Sequence, residues 1–312
     1  MSGTFDLPEE VRRKAVARGA EGEAWLEGVG ALAGEVAADW GLSLGKVLAG
    51  GTEAFVIAAT TDAGEAAVLK IPVPGHDRLG GERRVLLAAE GRGYARVLRH
   101  DEERGAMLLE RLGLQLAELH LPVETQIEII CATLKEAWRA PPAGARFTSG
   151  AEKAESLARW LVEGWEEFDR PCSERAVETA LGFAKSRAAA FDPAKAVLAH
   201  GDAHAWNTLV APGAGPRRFK FIDPDGLFIE PAYDLAIPMR EWGAALLAGD
   251  ALALGRERCA LLARLTGVDP APIWEWGFIE RITTGLVLKQ IGMEALAKEF
   301  FAVADIWADG AR

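Results

Sequence analysis

The sequence predicts an α+β fold in which a strand-rich first part is followed by a helix-rich second part. Up to residue 112, short apolar stretches are separated by polar or glycine-containing turns, a pattern typical of β-strands. From residue 114 onward, apolar residues recur at helical spacing over long stretches. We therefore predict an antiparallel five-stranded sheet within residues 1–112 and a mainly helical lobe over residues 113–312. The five strands are predicted around Leu44, Phe55, Val68, Val97 and Leu108.

The first forty residues are predicted to be helical and to pack on the first lobe. Val11, Ala15 and Val36 are the inward positions that helical spacing selects. A turn from Gly50 to Thr52 separates the first two strands, and glycines there would let the backbone approach a phosphate group closely. Such turns are common between strands, so this turn alone does not indicate a function.

A lysine inside an apolar strand is the first candidate site residue. Lys70 follows Val68 and Leu69, so its amine must reach solvent or meet a buried anion. Glu82 offers that anion, because it lies on the apolar face of the helix predicted over residues 81–90. The ordinary alternative is an edge-strand lysine whose amine faces water.

Prolines divide the second lobe into helices. Pro122 is predicted to open one helix, and Pro238 is predicted to open another over residues 239–247, because proline fits the first helical turn. Aromatic residues in this lobe have the spacing of a packed helical face, so we predict that they belong to the core. These residues are Trp138, Trp160, Trp165 and Phe168.

The stretch from residue 197 to residue 226 carries the most chemistry. Two short apolar runs flank a Pro/Gly turn over residues 212–216, which predicts a β-hairpin. Folding the hairpin brings Asn207, just before its first strand, near Asp223, at the end of its second strand. Asp202 lies in the loop that leads into the hairpin. Carboxylate and amide oxygens suit Mg²⁺, which binds one or two carboxylates together with substrate phosphates.

This stretch resembles the catalytic and metal-binding motifs of the aminoglycoside phosphotransferase branch of the protein-kinase-like fold. The matching residues are His200-Gly201-Asp202, Asn207 and Ile222-Asp223-Pro224-Asp225-Gly226. The continuation from Phe228 to Ala236 resembles the streptomycin 6-kinase and hydroxyurea phosphotransferase family. The resemblance covers about residues 45–235 and implies a bilobal kinase-like fold whose first lobe binds the nucleotide. Asp-Pro-Asp-Gly stands where protein kinases have Asp-Phe-Gly, so regulation by an activation loop is not implied.

The resemblance also implies roles for single residues, with ATP and Mg²⁺ as cofactors. Asp202 is the implied catalytic residue, which orients the acceptor hydroxyl and accepts its proton. Asn207 and Asp223 are the implied metal ligands. The implied nucleotide-binding residues are Lys70, Glu82, Glu110 and Leu112, the last two through backbone groups only.

Other polar residues near the motifs receive supporting roles. His200 is expected to support the loop by hydrogen bonds, and Asp234 is expected to brace it. Asp225 could be a second metal contact or a turn residue, and we favour the turn. For His204, a contact with phosphate and a contact with the loop both stay open.

Two other classes of function are weighed against a kinase. A metal-dependent hydrolase could use His200, Asp202 and His204 as a metal triad. That hypothesis leaves Lys70 and Asn207 unexplained, and the other histidines of the chain lie in unrelated segments. A nucleotide-binding module without catalysis would require loss of the lysine, the catalytic aspartate or a metal ligand, and none of these is missing.

The composition of the chain limits the classes of partner that it can bind. The net charge of −11 argues against binding to nucleic acid and is compatible with a small cationic substrate. Three scattered cysteines are typical of reduced thiols. Neither an apolar signal core nor a membrane-spanning run is present, so we expect a cytoplasmic enzyme without a membrane partner. The oligomeric state is not determined by the sequence.

The function that these observations favour is ATP-dependent phosphorylation of a hydroxyl group on an aminoglycoside, with streptomycin as the first choice and antibiotic inactivation as the result. The alternative is a kinase of the same fold that acts on another amino sugar, hydroxyurea or a hydroxylated metabolite. Carboxylates available for a cationic acceptor are Asp234, Glu241, Glu275 and Glu280. For each of them singly, an ordinary structural role on a solvated helix face or as a loop brace is the favoured interpretation.

Overall fold

The computed structural model describes residues 5–48, 53–75, 81–213 and 218–310. The chain forms two compact units, which are Met1–Gly113 with Val210–Lys220 and Leu114–Leu209 with Phe221–Arg312. The predicted turn from Gly50 to Thr52 lies outside the described residues, as does the part of the hairpin turn from Ala214 to Pro216.

The first unit combines helices with an antiparallel sheet. In chain order its elements are α1 (Glu9–Val16), α2 (Ala20–Trp40), β1 (Leu42–Val47), β2 (Ala54–Thr61), β3 (Ala66–Pro72), α3 (Gly81–Ala89), β4 (Val97–Asp101) and β5 (Ala106–Glu110). These strands lie in the order β1-β2-β3-β5-β4, and every neighbouring pair is antiparallel. The predicted five-stranded antiparallel sheet is therefore confirmed.

One face of this sheet forms the core of the first unit. Phe55 pairs with Ile71 and Ile57 pairs with Leu69 across β2 and β3, so all four side chains lie on the same face. They belong to one buried apolar cluster with α1 and α2, which explains why the N-terminal helices fold onto the sheet. Lys70 alternates with Leu69 and Ile71 and therefore points to the opposite face.

The second unit is mainly helical. Its helices are a short 3₁₀ helix (Leu116–Leu119), α4 (Val123–Ala137), α5 (Gly150–Glu167), α6 (Glu174–Ala189), α7 (Ala232–Arg240), α8 (Gly243–Leu247), α9 (Ala251–Thr266), α10 (Pro270–Gln290) and α11 (Glu294–Asp309). A small sheet contains β6 (Thr148–Ser149), β10 (Leu227–Ile229) and β7 (Val197–Ala199), in that order. The hairpin consists of β8 (Thr208–Val210) and β9 (Phe219–Phe221).

Helix α10 is the centre of the second unit. It packs against α5, α6, α7, α9 and α11, and most of its residues are buried. A helix that is apolar on nearly all sides requires such a surround. At Gly277 helix α10 comes close to α7, since an added Cβ would lie 2.6 Å from the Cβ of Met239. This glycine therefore lets α10 and α7 pack in direct contact.

The hairpin is divided between the two compact units. The boundary predicted near residue 112 assigned the whole hairpin to the second lobe. In the structure its outer part, Val210–Lys220, groups with the first unit. Two contacts explain the grouping, because the Gly113 N–H donates to the Val210 carbonyl at 2.8 Å and Lys220 pairs with Glu110.

The predicted helix start at Pro238 is wrong. Pro238 lies inside the last turns of α7, and the next helix begins at Gly243. A proline inside a helix removes one hydrogen bond and costs about 3 kcal/mol. Every α7 residue before Arg240 is buried, so its packing offsets that cost.

The cysteines and the apolar character of the helices complete the description of the fold. Cys131, Cys172 and Cys259 are free thiols in buried positions, and burial raises the pKa of Cys131 and of Cys172 to about 12. Among the helices in the described ranges, none combines the length and the apolar character needed to cross a bilayer.

Candidate active site

Lys70 and Glu82 form a buried ion pair in the first unit. The Lys70 Nζ lies 2.6 Å from Oε1 and 2.8 Å from Oε2 of Glu82, and the two side chains are 10% and 11% exposed. Two charges removed from water cost several kcal/mol each unless they are well paired. The contact that the sequence predicted is present, whereas its role in holding phosphates stays a prediction.

Glu110 makes a side-chain contact that the sequence did not predict. Its carboxylate accepts a hydrogen bond from the Arg96 N–H at 2.8 Å and forms an ion pair with Lys220. Its own N–H donates to the Arg96 carbonyl at 2.9 Å, so a nucleotide contact at Glu110 would have to use its carbonyl group. Leu112 is 6% exposed. Backbone contacts of Glu110 and Leu112 with a nucleotide stay predictions.

In the second unit, Asp234 holds the loop that leads to Asp202. Its carboxylate is fully buried and accepts hydrogen bonds from the N–H groups of His200 at 3.0 Å and Gly201 at 2.8 Å. The indole N–H of Trp138 donates to it at 2.8 Å, so this tryptophan does more than pack. Gly201 has a φ of 92° and would place a Cβ 2.7 Å from the Cβ of Asp225, which only glycine avoids. The bracing role predicted for Asp234 is confirmed.

His200 is a structural residue of this loop. Its Nε2 bonds to the Ile222 carbonyl at 2.9 Å, and its Nδ1 accepts the Asp202 N–H at 3.1 Å. Burial lowers the pKa of His200, which keeps its ring neutral. Because both ring nitrogens are engaged, His200 has no lone pair to offer a metal, and the metal-hydrolase alternative loses one of its three ligands.

Asp202 lies between an arginine and a histidine. One carboxylate oxygen forms an ion pair with Arg240, and the other lies 3.2 Å from Nε2 of His204. Burial acts to raise the pKa of Asp202, but Arg240 and His204 outweigh it and hold that pKa well below its usual range. Burial lowers the pKa of His204 and the bond to Asp202 raises it, with a net rise. Asp202 is therefore an ionised carboxylate at any pH near neutrality.

The hairpin brings the two predicted metal ligands together. The Ile222 N–H donates to the Asn207 carbonyl at 3.0 Å, so Asp223 follows directly after the residue that pairs with Asn207. The Asn207 side-chain amide donates to the Asp202 carbonyl at 3.1 Å, which directs Nδ2 toward the loop and makes Oδ1 the atom with which Asn207 could bind a metal. Asp223 has a φ of 57°, an uncommon backbone conformation for a residue other than glycine. Local strain of this kind occurs preferentially at functional sites.

Arg240 belongs to a buried polar network that sequence reasoning missed. Its second guanidinium nitrogen lies 2.7 Å from Oε2 of Glu280, and the hydroxyl of Tyr233 donates to the other oxygen of Glu280. Tyr233 and Arg240 are seven residues apart in α7 and therefore share a face, which is the one signal that the sequence contained. Glu280 lies on α10, and its partners depend on tertiary packing.

Asp225 lies against the same loop. Burial raises the pKa of Asp225, and the nearby carboxylates Asp202 and Glu280 act in the same direction against the effect of Lys153, so the resulting pKa is about 6. More than a third of the residue is open to solvent, which screens part of these interactions.

Trp206 is the exposed aromatic residue of the loop. It occupies the turn closed by the hydrogen bond from the Asn207 N–H to the His204 carbonyl at 3.0 Å, and it is 56% exposed. A large apolar side chain at this exposure, between a catalytic candidate and a metal-ligand candidate, was not singled out from the sequence. The signal that the sequence contained was that Trp206 directly precedes the predicted metal ligand Asn207.

The fold and the motif geometry define a kinase-like phosphotransferase. Residues 40–292 match the family described as aminoglycoside/hydroxyurea antibiotic resistance kinase, and the chain belongs to this family. It is 28% identical over 306 residues to the streptomycin 6-kinase of Streptomyces griseus, covering 93% of this chain and 92% of that protein. It is 29% identical over 293 residues to the hydroxyurea phosphotransferase of Kitasatospora aureofaciens, covering 92% and 81%.

A solved structure supports the fold. The aminoglycoside phosphotransferase APH(3'')-Id from Streptomyces rimosus, in complex with ADP and streptomycin, superposes with a TM-score of 0.52 at 19% identity, over 81% of this chain and 97% of that one. At this identity the likeness extends to the fold alone. With the family match, it confirms the predicted kinase-like fold and a phosphotransferase that acts on a hydroxyl group.

The bracing contacts of Asp234 predict a measurable loss of stability. Asp234→Asn replaces one carboxylate oxygen by an NH₂ group that faces backbone N–H donors. We expect a loss of about 2–4 kcal/mol in the free energy of unfolding, since hydrogen bonds to charged groups are worth about 1.5–3 kcal/mol each. Denaturant titration measures it. The matched control is Asp250→Asn at the N-cap of α9, where asparagine caps as well as aspartate. Equal effects of the two substitutions would contradict the bracing role.

The raised pKa of Asp225 predicts a pH-dependent effect. A carboxyl group whose pKa is about 6 in the folded protein and 3.8 in the reference state stabilises the fold below pH 3.8, and this contribution is lost as the pH rises to 6. Asp225→Asn stays neutral, so its Tm should exceed that of the wild type at pH 7 and should show no such gain at pH 4. Thermal melts at both pH values test this, with Glu163→Gln on the exposed surface of α5 as the control for one lost carboxylate. A gain independent of pH would contradict it.

Proposed function

We propose that the chain transfers the γ-phosphoryl group of ATP to a hydroxyl group of an aminoglycoside, with streptomycin as the first acceptor, and thereby inactivates the antibiotic. The observation that carries the proposal is the backbone hydrogen bond between Ile222 and Asn207, at 3.0 Å. It supports the predicted metal site, because it joins the backbone of Asn207 to the residue directly before Asp223. Similarity to a streptomycin 6-kinase over most of both chains supports the choice of acceptor.

Asp202 is the proposed catalytic residue. In the transfer, the acceptor oxygen forms a bond to the γ-phosphorus, the bond from that phosphorus to the ADP oxygen breaks, and the hydroxyl proton passes to Asp202. Arg240 and His204 keep the pKa of Asp202 low, so its carboxylate is ionised and ready to accept a hydrogen bond. Such a carboxylate is a weak base, and its main contribution would be to orient the hydroxyl group for in-line attack.

Asn207 and Asp223 are the proposed magnesium ligands. An amide oxygen and a carboxylate oxygen are hard donors that fit Mg²⁺. The orientation of the Asn207 amide, fixed by its bond to the Asp202 carbonyl, supports this fit. When bound, Mg²⁺ would supply positive charge to the phosphate oxygens.

The first unit would hold the nucleotide. Lys70, kept in place by Glu82, would bind the α- and β-phosphates. The carbonyl of Glu110 and the backbone of Leu112 would contact the base. The cytoplasm is the proposed location, because ATP is available there.

A cationic acceptor requires a carboxylate that is not already engaged. Of the four candidates named above, Asp234 holds the loop, Glu280 pairs with Arg240, and Glu275 lies 2.6 Å from Arg187. Glu241 contacts Arg240 only at 3.5 Å and is 32% exposed. We propose Glu241 as a carboxylate that meets the cation.

The exposed indole of Trp206 would cover the acceptor near Asp202. The ring face of tryptophan attracts guanidinium and ammonium groups and also packs on the apolar faces of sugar rings. The partly exposed carboxylate of Glu241 and the exposed indole of Trp206 would together suit the binding of a polycationic sugar.

Hydroxyurea is the second candidate acceptor. The 29% sequence identity to a hydroxyurea phosphotransferase favours this acceptor. Hydroxyurea is small and neutral, so it would need neither Glu241 nor Trp206. A screen of acceptors therefore distinguishes streptomycin from hydroxyurea.

An acceptor screen tests the proposed reaction. ATP consumption is measured with aminoglycosides, amino sugars, choline and hydroxyurea, with and without Mg²⁺. We expect turnover with streptomycin, and we expect Asp202→Asn to lower kcat by about 10²–10⁴-fold because the carboxylate that orients the hydroxyl group and accepts its proton is lost. Turnover only with another acceptor would replace streptomycin by that acceptor. Full activity of Asp202→Asn would overturn the role of Asp202.

The proposed acceptor platform has its own test. Trp206→Ala should raise the KM for a cationic acceptor about 3- to 30-fold, the equivalent of a cation–π contact of about 0.5–2 kcal/mol, and leave the KM for ATP unchanged. Trp206→Phe should recover part of the loss. Ile291→Ala, which truncates an equally exposed apolar residue after α10, is the control. A rise in both KM values, or none, would contradict the platform.

A further inference from the structure

Arg240 touches the proposed catalytic carboxylate directly, and neither the motifs nor the family resemblance assigned it a role. We propose that Arg240 is a positioning residue, which fixes the Asp202 carboxylate in one orientation by bridging it to Glu280. This inference rests on the proposed function, because it concerns the residue that meets the acceptor hydroxyl.

The guanidinium group of Arg240 is held at both ends. One nitrogen pairs with Asp202 and the other lies 2.7 Å from Glu280, whose remaining oxygen accepts the hydroxyl of Tyr233. The Arg240 side chain is 12% exposed and that of Glu280 is 5% exposed, so water competes little with these bonds. A planar guanidinium that bridges two carboxylates cannot turn without breaking one ion pair. The orientation of Asp202 is thereby tied to α10.

The backbone at Arg240 is fixed as well. Arg281 donates to the Met239 carbonyl at 2.7 Å, and Arg258 donates to the Glu241 carbonyl at 2.6 Å, so both neighbours of Arg240 are held. Cations at the last carbonyl groups of a helix also complement its dipole. Two buried arginines therefore secure the end of α7 from which Arg240 extends.

The charge of Arg240 supports the same role, because one guanidinium group compensates the two carboxylates that it bridges. The charged and titratable groups that act on this network are His200, His204, Asp225, Tyr233, Glu241, Glu280, Lys153 and Arg281. Among the groups acting on Asp202, Arg240 is the strongest that favours the ionised carboxylate.

Charge and shape can be separated by two substitutions at the same position. Arg240→Gln removes the charge, and the acid limb of the kcat profile should move up by about 1–3 pH units, the usual effect of an opposite charge on a carboxyl pKa. Its kcat on the plateau should fall by about 10²-fold, since a catalytic group displaced by about 1 Å costs that much. Arg240→Lys keeps the charge but cannot bridge both carboxylates, so the limb should stay in place while kcat lies between the two. The KM for ATP should not change in either variant.

The pKa of Asp202 is also measured without an acceptor, by carboxyl ¹³C NMR, with Asp202→Asn to assign the signal. Arg170→Gln, which removes an exposed arginine at the end of α5, is the control for one lost positive charge. If Arg240→Gln does not fold, Arg240→Lys and Glu280→Gln still test the bridge, because both should lower kcat without moving the acid limb.

The outcomes separate the inference from the function on which it rests. An inactive Asp202→Asn, with a wild-type pH profile, kcat and Asp202 titration in the Arg240 variants, would overturn the positioning role and leave the kinase intact. A lower Tm in these variants with no change in kcat or pH profile would make Arg240 merely structural. A wild type that transfers phosphate to no acceptor, or a fully active Asp202→Asn, would overturn both.

Discussion

The second unit depends on one fully buried carboxylate. Asp234 accepts two backbone N–H groups of the catalytic loop and one indole N–H, so its charge is compensated where water cannot reach it. A buried charge without these partners would cost several kcal/mol. The loop conformation and the position of α7 are therefore fixed together, because either one alone would leave Asp234 unsatisfied. The loop delivers Asp202 and Asn207, and α7 delivers Arg240.

Around this brace the second unit buries more charge than a stability argument alone would favour. The side chains of Arg240 and Glu280 are 12% and 5% exposed, and Arg281 is fully buried. Burial lowers the pKa of Arg281 to about 9, which reflects the cost of keeping that cation away from water. Apolar residues could fill such a volume more cheaply. In the mechanism that we propose, Arg240 and Glu280 orient the Asp202 carboxylate, a role that accounts for burying these two charges.

Much of the candidate site was predictable because its motifs are short. Lys70 and Glu82 are twelve residues apart on adjoining elements, and strand alternation with helical periodicity was enough to predict their contact. Asn207 and Asp223 meet through one hairpin, whose register follows from its two apolar runs. The helix start predicted at Pro238 was wrong for the opposite reason, because a local rule for proline was outweighed by burial of α7 up to Met239. The side-chain partner of Glu110, Lys220, was not predicted because it lies far along the chain.

The sequence by itself determined the order of strands and helices, the family, and the chemistry of phosphoryl transfer, because periodicity and motif residues act over short distances along the chain. Only the tertiary structure decided what surrounds Asp202. Arg240 is 38 residues from Asp202, and Glu280 is 40 residues from Arg240. Their meeting depends on how closely α10 approaches α7 at Gly277, and packing between distant helices is set by the fit of whole surfaces.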